Sequence, residues 1–374
     1  MAKTYIGGEK PSYLTVDSDG HISDHHVDWV ARFPAHLRDL APQLYKDRGG
    51  RFLWVVEGSK LWEWILPPKG SRKMTAEAQE KSREGFWAFR EGASNPDLRV
   101  KDLDTEGFDV AVVFAQFMRA TLALNESPEV AVAFARAYTD YVHEYCSKHP
   151  KRLKGVAMIP LQDVQSSVAE VKRAKDLGMV GILMQPQLRG EYTWQEKYWP
   201  IFAEAERLGI PIAEHIQSTF LPGQEGLPNW LFRHTMNFED SMRSTIGYIA
   251  HGVLDTFPKL KVAQVEAETG WLPFLLHRLE EQLEMLLGYN KAPKKAPEDY
   301  FKDGNMYLTM EASDRFAPHV VDSIGDNALL VGSDYNHFDG SSPYTVKIIL
   351  DRKDISEETK RKILSDNPKR FWGL

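Results

Sequence analysis

Eight short apolar runs, most of them separated by amphipathic stretches, constrain this chain more than any other feature. They are Tyr13–Val16, Phe108–Ala115, Leu153–Ile159, Met179–Met184, Ile210–Ala213, Leu260–Val265, Met306–Met310 and Ala328–Val331. Helical spacing of apolar residues marks Val130–Lys148, Ser166–Leu177 and Pro200–Leu208, and the last two stop at Gly178 and Gly209, where a helix C-cap favours glycine. Short buried strands alternating with helices read as βαβ units on a parallel sheet. Eight of them favour an α/β fold, a distorted (β/α)8 TIM barrel, over an open doubly wound sheet with fewer strands and a glycine-rich phosphate turn. Neither GxGxxG nor GxxxxGKS/T occurs, so nucleotide binding lacks its usual support.

A gap of about ninety residues separates the first run from the second, against the far shorter spacing that a βα unit needs. The insertion, residues 22–99, is rich in aromatics: Trp29, Phe33, Phe52, Trp54, Trp62, Trp64, Phe86, Trp87 and Phe89. Leaving the C-terminal end of the first strand, it is expected to cover the open face as a lid, or to serve as an oligomer contact. Residues 1–374 then form a single barrel domain, which this length allows. The loop from Gln217 to Asp240 is expected to overhang the same face.

Hydrophobic content of 43% and charged content of 26% suit a globular protein, and a net charge of −7 argues against a nucleic-acid partner. No run is long enough for a transmembrane helix, and Met1 to Pro11 lacks the apolar centre of a signal peptide, so a cytoplasmic protein without a membrane partner is expected. The one cysteine, Cys146, excludes an internal disulfide and falls in a helical pattern, where a buried structural thiol is expected.

The residues that could carry chemistry sit where the runs end. In a (β/α)8 barrel all strand C-termini open on one face, so positions far apart in sequence converge there. Asp19 and His21 follow the first run two residues apart, a spacing that points both the same way on an extended strand, with Asp17 one step behind as a supporting group. His215 ends the fifth run, Glu266 the sixth, and Gly332-Ser333-Asp334-Tyr335-Asn336-His337 the eighth. Imidazole and carboxylate oxygen together suit Zn, Mn, Co or Fe. Taken singly, each residue also has an ordinary reading as a turn residue or a hydrogen-bonded core group. Their joint arrival at strand ends points to a divalent metal ion. Glu311 and Asp314 close the seventh run, and His25 and His26 are expected at surface or helix-start positions. Arg119 and Arg189, just past the second and fourth runs, are candidates to pair a substrate carboxylate.

Several stretches resemble the amidohydrolase superfamily, specifically its amidohydrolase-2 branch, related to aminocarboxymuconate-semialdehyde decarboxylase and γ-resorcylate decarboxylase. They are VDSDGHISD, IPIAEH, GVLDTFPKLKV, GWLPFLLHRLE, LLVGSDYNHFDG and ILSDNPKRFWGL, and they span nearly the whole chain. The resemblance implies that Asp19 and His21 take the first-strand ligand positions, His215 the fifth-strand ligand, and Asp334 the eighth-strand aspartate that binds metal or moves a proton. Two departures stand out. Glu266 occupies the place of the sixth-strand histidine found in some members, and Asn336-His337 stands where many relatives have Pro-His. Glu266 is therefore assigned an acid/base or supporting role beside Asp334, or, with His337, a share in a second metal.

The preferred expectation is a metal-dependent enzyme that hydrolyses or non-oxidatively decarboxylates a small carboxylate-bearing substrate, with one ion on Asp19, His21, His215 and Asp334. A dinuclear Fe or Mn oxygenase is the alternative. A non-catalytic barrel supporting an active paralogue is a third, and a homo-oligomer or a hetero-oligomer with a paralogue is expected.

Overall fold

A computed structural model describes residues 4–46, 52–57, 59–63, 90–116, 127–216, 235–285, 292–337 and 340–374. Its centre is an eight-stranded parallel sheet: β1 (Val16–Ile22), β2 (Val110–Ala115), β3 (Leu153–Met158), β4 (Gly181–Leu183), β5 (Ile212–His215), β6 (Val262–Val265), β7 (Met306–Glu311) and β8 (Leu329–Gly332). Neighbours in the sheet are neighbours in sequence, from β1 through to β8. The two edges meet where the Asp334 N–H donates to Asp19 C=O at 2.9 Å and the His21 N–H donates to Tyr335 C=O at 3.2 Å. That seam brings the first and last strands together and nearly closes the sheet into a barrel.

Nine helices are used below: α1 (Pro96–Glu106), α2 (Pro128–Cys146), α3 (Val164–Asp176), α4 (Trp199–Leu208), α5 (Glu239–Ala250), α6 (Leu272–Met285), α7 (Ala317–Ile324), α8 (Thr345–Asp351) and α9 (Asn367–Trp372). From α2 to α7 they alternate with the strands, and their apolar faces cover the sheet from outside. With the barrel interior filled as well, all six residues of β2 are buried, which is why such strands read as unbroken apolar runs. Helix starts follow local chemistry: Asn95 caps α1, Ser127 caps α2 and Asp163 caps α3 through their side chains. Gly178 and Gly209 have φ of +74° and +61°, the left-handed conformation in which glycine is cheapest.

The first strand differs from the sequence reading. It begins at Val16, where the apolar run ends, so Asp19 and His21 lie within β1 rather than beyond it. Hydropathy could not reveal this, because the strand is VDSDGHI and buries four polar side chains. Helix α9 closes the molecule from the other terminus. The Trp372 indole N–H donates to Ser18 Oγ at 3.2 Å, and its ring lies 6.0 Å from that of Phe114 on β2.

The described start of the insertion is anchored to the barrel. Trp29 is buried, with ring centroids 5.9 Å from both Phe134 and Tyr141 of α2, and Phe33 packs on Phe134. A three-stranded antiparallel sheet follows, Gln43–Lys46, Phe52–Val56 and Ser59–Glu63. The side chains of Phe52, Trp54 and Trp62, and residues Trp64, Phe86, Trp87 and Phe89, lie outside what is described. Cys146 is buried at the end of α2, and burial pushes its thiol up to about 12, leaving it protonated and unreactive.

Candidate metal centre

Six side chains from four strand ends converge at the mouth of the barrel. Asp19 and His21 project from β1, His215 ends β5, Glu266 follows β6, and Asp334 and His337 follow β8. One ligand atom each from Asp19, His21, His215 and Glu266 lie within 4.8 Å of one another, as do those of His21, Glu266, Asp334 and His337. His21 Nε2 is 3.4 Å from Asp19 Oδ1 and 3.2 Å from Asp334 Oδ1. His215 Nε2 is 3.4 Å from Asp19 Oδ1 and 3.2 Å from Glu266 Oε2.

The hydrogen bonds behind the histidines decide which ring nitrogen faces inward. His21 Nδ1 lies 2.9 Å from the Ala115 carbonyl oxygen, and His215 Nδ1 lies 2.9 Å from that of Ile216. A carbonyl only accepts, so both Nδ1 atoms carry their hydrogens, and in the neutral rings both Nε2 atoms turn lone pairs toward the carboxylates. Asp19 Oδ1 is itself buried and accepts no hydrogen bond among the described residues. Lone pairs and three carboxylates facing one another in a largely buried cluster repel unless a cation or bound protons lie between them. Backbone carbonyls that fix the tautomer are the usual support of a metal-bound histidine. Imidazole nitrogen and carboxylate oxygen are the donor set that Zn, Mn, Co and Fe accept, so these residues fit a divalent ion.

Local backbone conformation brings the later residues in. Glu266, Glu268, Asp334 and Asn336 have φ of +58°, +53°, +50° and +80°. They are four of the six non-glycine residues with positive φ among those described, and such conformations cost roughly 1–3 kcal/mol each and gather at functional sites. The Glu266 N–H donates to Thr309 Oγ1 of β7 at 2.7 Å, which holds the turn. His337 stacks on His21, with centroids 4.3 Å apart, and its Nδ1 lies 2.5 Å from Asp334 Oδ1. Phe114 forms the floor, 6.3 Å from the His21 ring and 5.6 Å from that of His215.

Other anticipated residues sit elsewhere. Asp17 faces away from the cluster: it pairs with Arg99 at 3.2 Å and accepts from Ser333 N–H at 2.9 Å and Ser333 Oγ at 2.7 Å. Burial pushes its carboxyl up to about 6 against the pull of Arg99. Glu214, one residue before His215, points outward to α5 and accepts from Tyr248 and Gln264, as strand alternation requires. Asp314 accepts from the N–H groups of Thr269 and Phe316, tying together the loops after β6 and β7. Arg189 is exposed at the tip of a short hairpin (Gln187–Leu188 paired with Glu191–Tyr192). His25 and His26 fall in the turn before Trp29–Arg32, and burial lowers His25 to about 3. Arg119 lies outside the described residues.

Sequence reasoning missed Arg315. Just beyond β7, it lines a cleft of about 420 Å³ together with Phe238, Trp271, Phe316 and Glu268, the last only two residues after Glu266. Its signal was the one noticed for Arg119 and Arg189, an arginine a few residues past a strand end.

Comparison with known proteins agrees with this architecture. The chain is 26% identical over 299 residues to 2-amino-3-carboxymuconate-6-semialdehyde decarboxylase of Dictyostelium discoideum, covering 76% of this chain and 79% of that protein. It is 25% identical over 295 residues to γ-resorcylate decarboxylase of Polaromonas sp., covering 74% and 87%. Among solved structures, an amidohydrolase of Mycobacterium avium subsp. paratuberculosis superposes with a TM-score of 0.78 at 19% identity, covering 97% of this chain and 100% of that one. The 5-carboxyvanillate decarboxylase of Novosphingobium aromaticivorans, solved with manganese and 4-hydroxy-3-methoxy-5-nitrobenzoic acid, superposes at 0.67 with 19% identity, covering 100% of both chains. The amidohydrolase family model matches residues 16–374, from the first barrel strand to the last residue, and the chain belongs to that family.

Proposed function

We propose that this protein is a metal-dependent carboxy-lyase that removes CO2 from a small, hydroxyl-bearing aromatic or conjugated carboxylate. The observation that carries the reading is the pair of histidines whose tautomers are set by backbone carbonyls and whose Nε2 atoms face Asp19, Glu266 and Asp334. Its relatives include two kinds of decarboxylase, and both names describe carboxylates on conjugated frameworks. Asp19, His21, His215 and Asp334 would hold the ion. A divalent ion in such a site supplies Lewis-acid polarisation and a template for the substrate's carboxylate and neighbouring hydroxyl.

The protein's own groups handle the proton. Asp334, whose Oδ1 lies 2.5 Å from His337 Nδ1, is placed to deliver a proton to the ring carbon that bears the carboxylate. The bond from that carbon to the carboxylate then breaks, its electron pair restores the conjugated system, and CO2 leaves with hydrogen in its place. Glu266, beside His215, is the second acid/base group and offsets the cation's charge. Phe238, Trp271 and Phe316 offer flat faces to a planar substrate in the neighbouring cleft, and Arg315 offers a cation to a second acidic group. The insertion leaves β1 on this face and would cover the mouth, excluding water from the protonation step.

A dinuclear centre is the second reading, because the six residues form two overlapping ligand groups. His337 Nδ1 lies 2.5 Å from Asp334 Oδ1, too close for the two atoms to flank a second ion comfortably at about 2.0–2.2 Å from each, which favours one ion. The test loads chelator-stripped protein with Mn2+ and measures metal content and CO2 release from 2,6-dihydroxybenzoate and 5-carboxyvanillate. One equivalent of metal and CO2 release from either supports the proposal. Two equivalents and O2 consumption with hydroxylated product would replace it with the oxygenase. Hydrolysis of an amide or lactone without CO2 release from any carboxylate would reassign the reaction.

A further inference from the structure

The barrel closes between β1 and β8, and that seam carries four of the six convergent residues: Asp19 and His21 on one side, Asp334 and His337 on the other. Among the described residues only two backbone hydrogen bonds bridge it at the mouth, from Asp334 N–H to Asp19 C=O and from His21 N–H to Tyr335 C=O. A seam so thinly laddered needs side chains to fix its register.

One buried cation supplies that fixing from outside the cluster. Arg99 stands on α1, the helix by which the chain re-enters the barrel after the long insertion, and is 1% exposed. Its Nη2 lies 3.2 Å from Asp17 Oδ2 on the β1 side. Its guanidinium carbon lies 3.3 Å above the ring of Tyr335 on the β8 side, a close cation–π contact. Both partners hand the constraint on. Asp17 accepts from Ser333 N–H and Oγ and from Asp19 N–H at 3.3 Å, so it grips the residues before Asp334 and beneath Asp19 together. Tyr335 donates its hydroxyl to Asp102, one turn along α1 from Arg99, while its carbonyl receives the His21 N–H.

We propose that Arg99 is a positioning residue for the metal centre: by clamping Asp17 and Tyr335 it sets the spacing between the β1 ligands and Asp334. Lysine keeps the charge but lacks the planar, delocalised fork that pairs with a carboxylate edge while lying flat on a ring. The proposal rests on the functional reading above only in taking the cluster to hold a cation.

The test compares Arg99→Lys with Asn367→Ala. Asn367 is a buried residue that donates to the Asp326 and Leu329 carbonyls at the opposite end of β8, so its loss destabilises the fold without touching the seam at the mouth. Mn2+ affinity is measured by chelator competition, the bound ion's environment by electron paramagnetic resonance, and the melting temperature on metal-free protein. Arg99→Lys is expected to weaken Mn2+ binding about 10–100-fold, the usual effect of losing a group that orients metal ligands, and to broaden the Mn2+ spectrum. Asn367→Ala is expected to lower the melting temperature and leave affinity within about threefold. Affinity within threefold in Arg99→Lys, or a loss in both variants that follows melting temperature alone, overturns the clamp. Should Arg99→Lys not fold, Asp102→Ala removes the acceptor of the Tyr335 hydroxyl and loosens Tyr335 from the other side of the same clamp, and unchanged Mn2+ affinity and spectrum in it overturn the proposal equally. A parent protein that binds no Mn2+ overturns the metal centre itself, an outcome distinct from a parent that binds and variants that bind as well.

Discussion

Replacing Glu106 with glutamine should stabilise this protein at neutral and alkaline pH and do little in mild acid. Glu106 ends α1 wholly buried, accepting from Thr345 Oγ1 of α8 at 3.1 Å. It shares the field of Arg99 with Asp17, and the added pull of Arg90 does not overcome its burial. Burial first, then the Asp17 charge, push Glu106 up from its ordinary 4.5 to about 7, against the pull of Arg99. Below pH 4.5 both folded and unfolded chains hold the proton, and the folded state's advantage from this group is complete. As pH rises toward 7 the unfolded chain gives up its proton while the folded chain keeps it, so stability falls and levels off above about 7. The interval between 4.5 and about 7 corresponds to about 3 kcal/mol at pH 8. Glutamine has the shape of the protonated acid and never ionises, so Glu106→Gln should match the parent near pH 4.5 and exceed it by about 2–3 kcal/mol at pH 8. Urea unfolding of chelator-treated protein, followed by tryptophan fluorescence and circular dichroism between pH 4.5 and 8, measures the difference. A difference that stays constant across that range, or a variant less stable than the parent at pH 8, would refute the account of a buried acid held neutral.

The metal centre gives further expectations. His215→Ala should lose most of its bound metal in elemental analysis while keeping the parent's circular dichroism spectrum, because His215 ends β5 rather than filling the apolar core. Asp334→Asn preserves size but removes the proton donor, and kcat for CO2 release should fall by about two to four orders of magnitude; near-parental turnover would assign the proton to another group. Gly332→Ala would place a methyl group 2.5 Å from Asp19 Cβ across the β1–β8 seam. Overpacking of this kind costs about 1–3 kcal/mol, and here it should also weaken Mn2+ binding, which isothermal titration can read separately from unfolding.

The barrel was legible because its strands are covered on both faces. A strand such as Val110–Ala115 must be apolar throughout, and a run of that kind ended by a turn and followed by a helix leaves few other folds open. Where a strand buries polar groups instead, the signal fails. β1 buries Asp17, Ser18, Asp19 and His21, so hydropathy placed the strand early and set its chemistry in the following turn. The same segment explains why Asp17 was expected to support the ligands directly. Period-two alternation puts Asp17 and Asp19 on one face, but the pairing of β1 with β2 is irregular between Asp17 and Gly20. That irregularity turns Asp17 to Arg99 and leaves Asp19 at the mouth.

The convergence of Asp19, His21, His215, Glu266 and Asp334 could be anticipated because barrel topology puts every strand end on one face, whatever the sequence separation. What topology cannot convey is the left-handed backbone at Glu266, Glu268, Asp334 and Asn336, since residues with side chains do not advertise positive φ as glycine does. Nor can it convey the seam. Arg99 was the last residue of a segment set aside as an insertion, and nothing in its neighbourhood, PDLRVKDLDTE, distinguishes it from the charged residues of a solvated helix. Its meaning comes from pairs separated by 82 residues to Asp17 and from a ring on the far side of the barrel's closure. An arginine beneath such a closure need not touch metal or substrate to matter, because Asp19 and Asp334 belong to opposite edges of one sheet, and the distance between them is set by whatever holds those edges together.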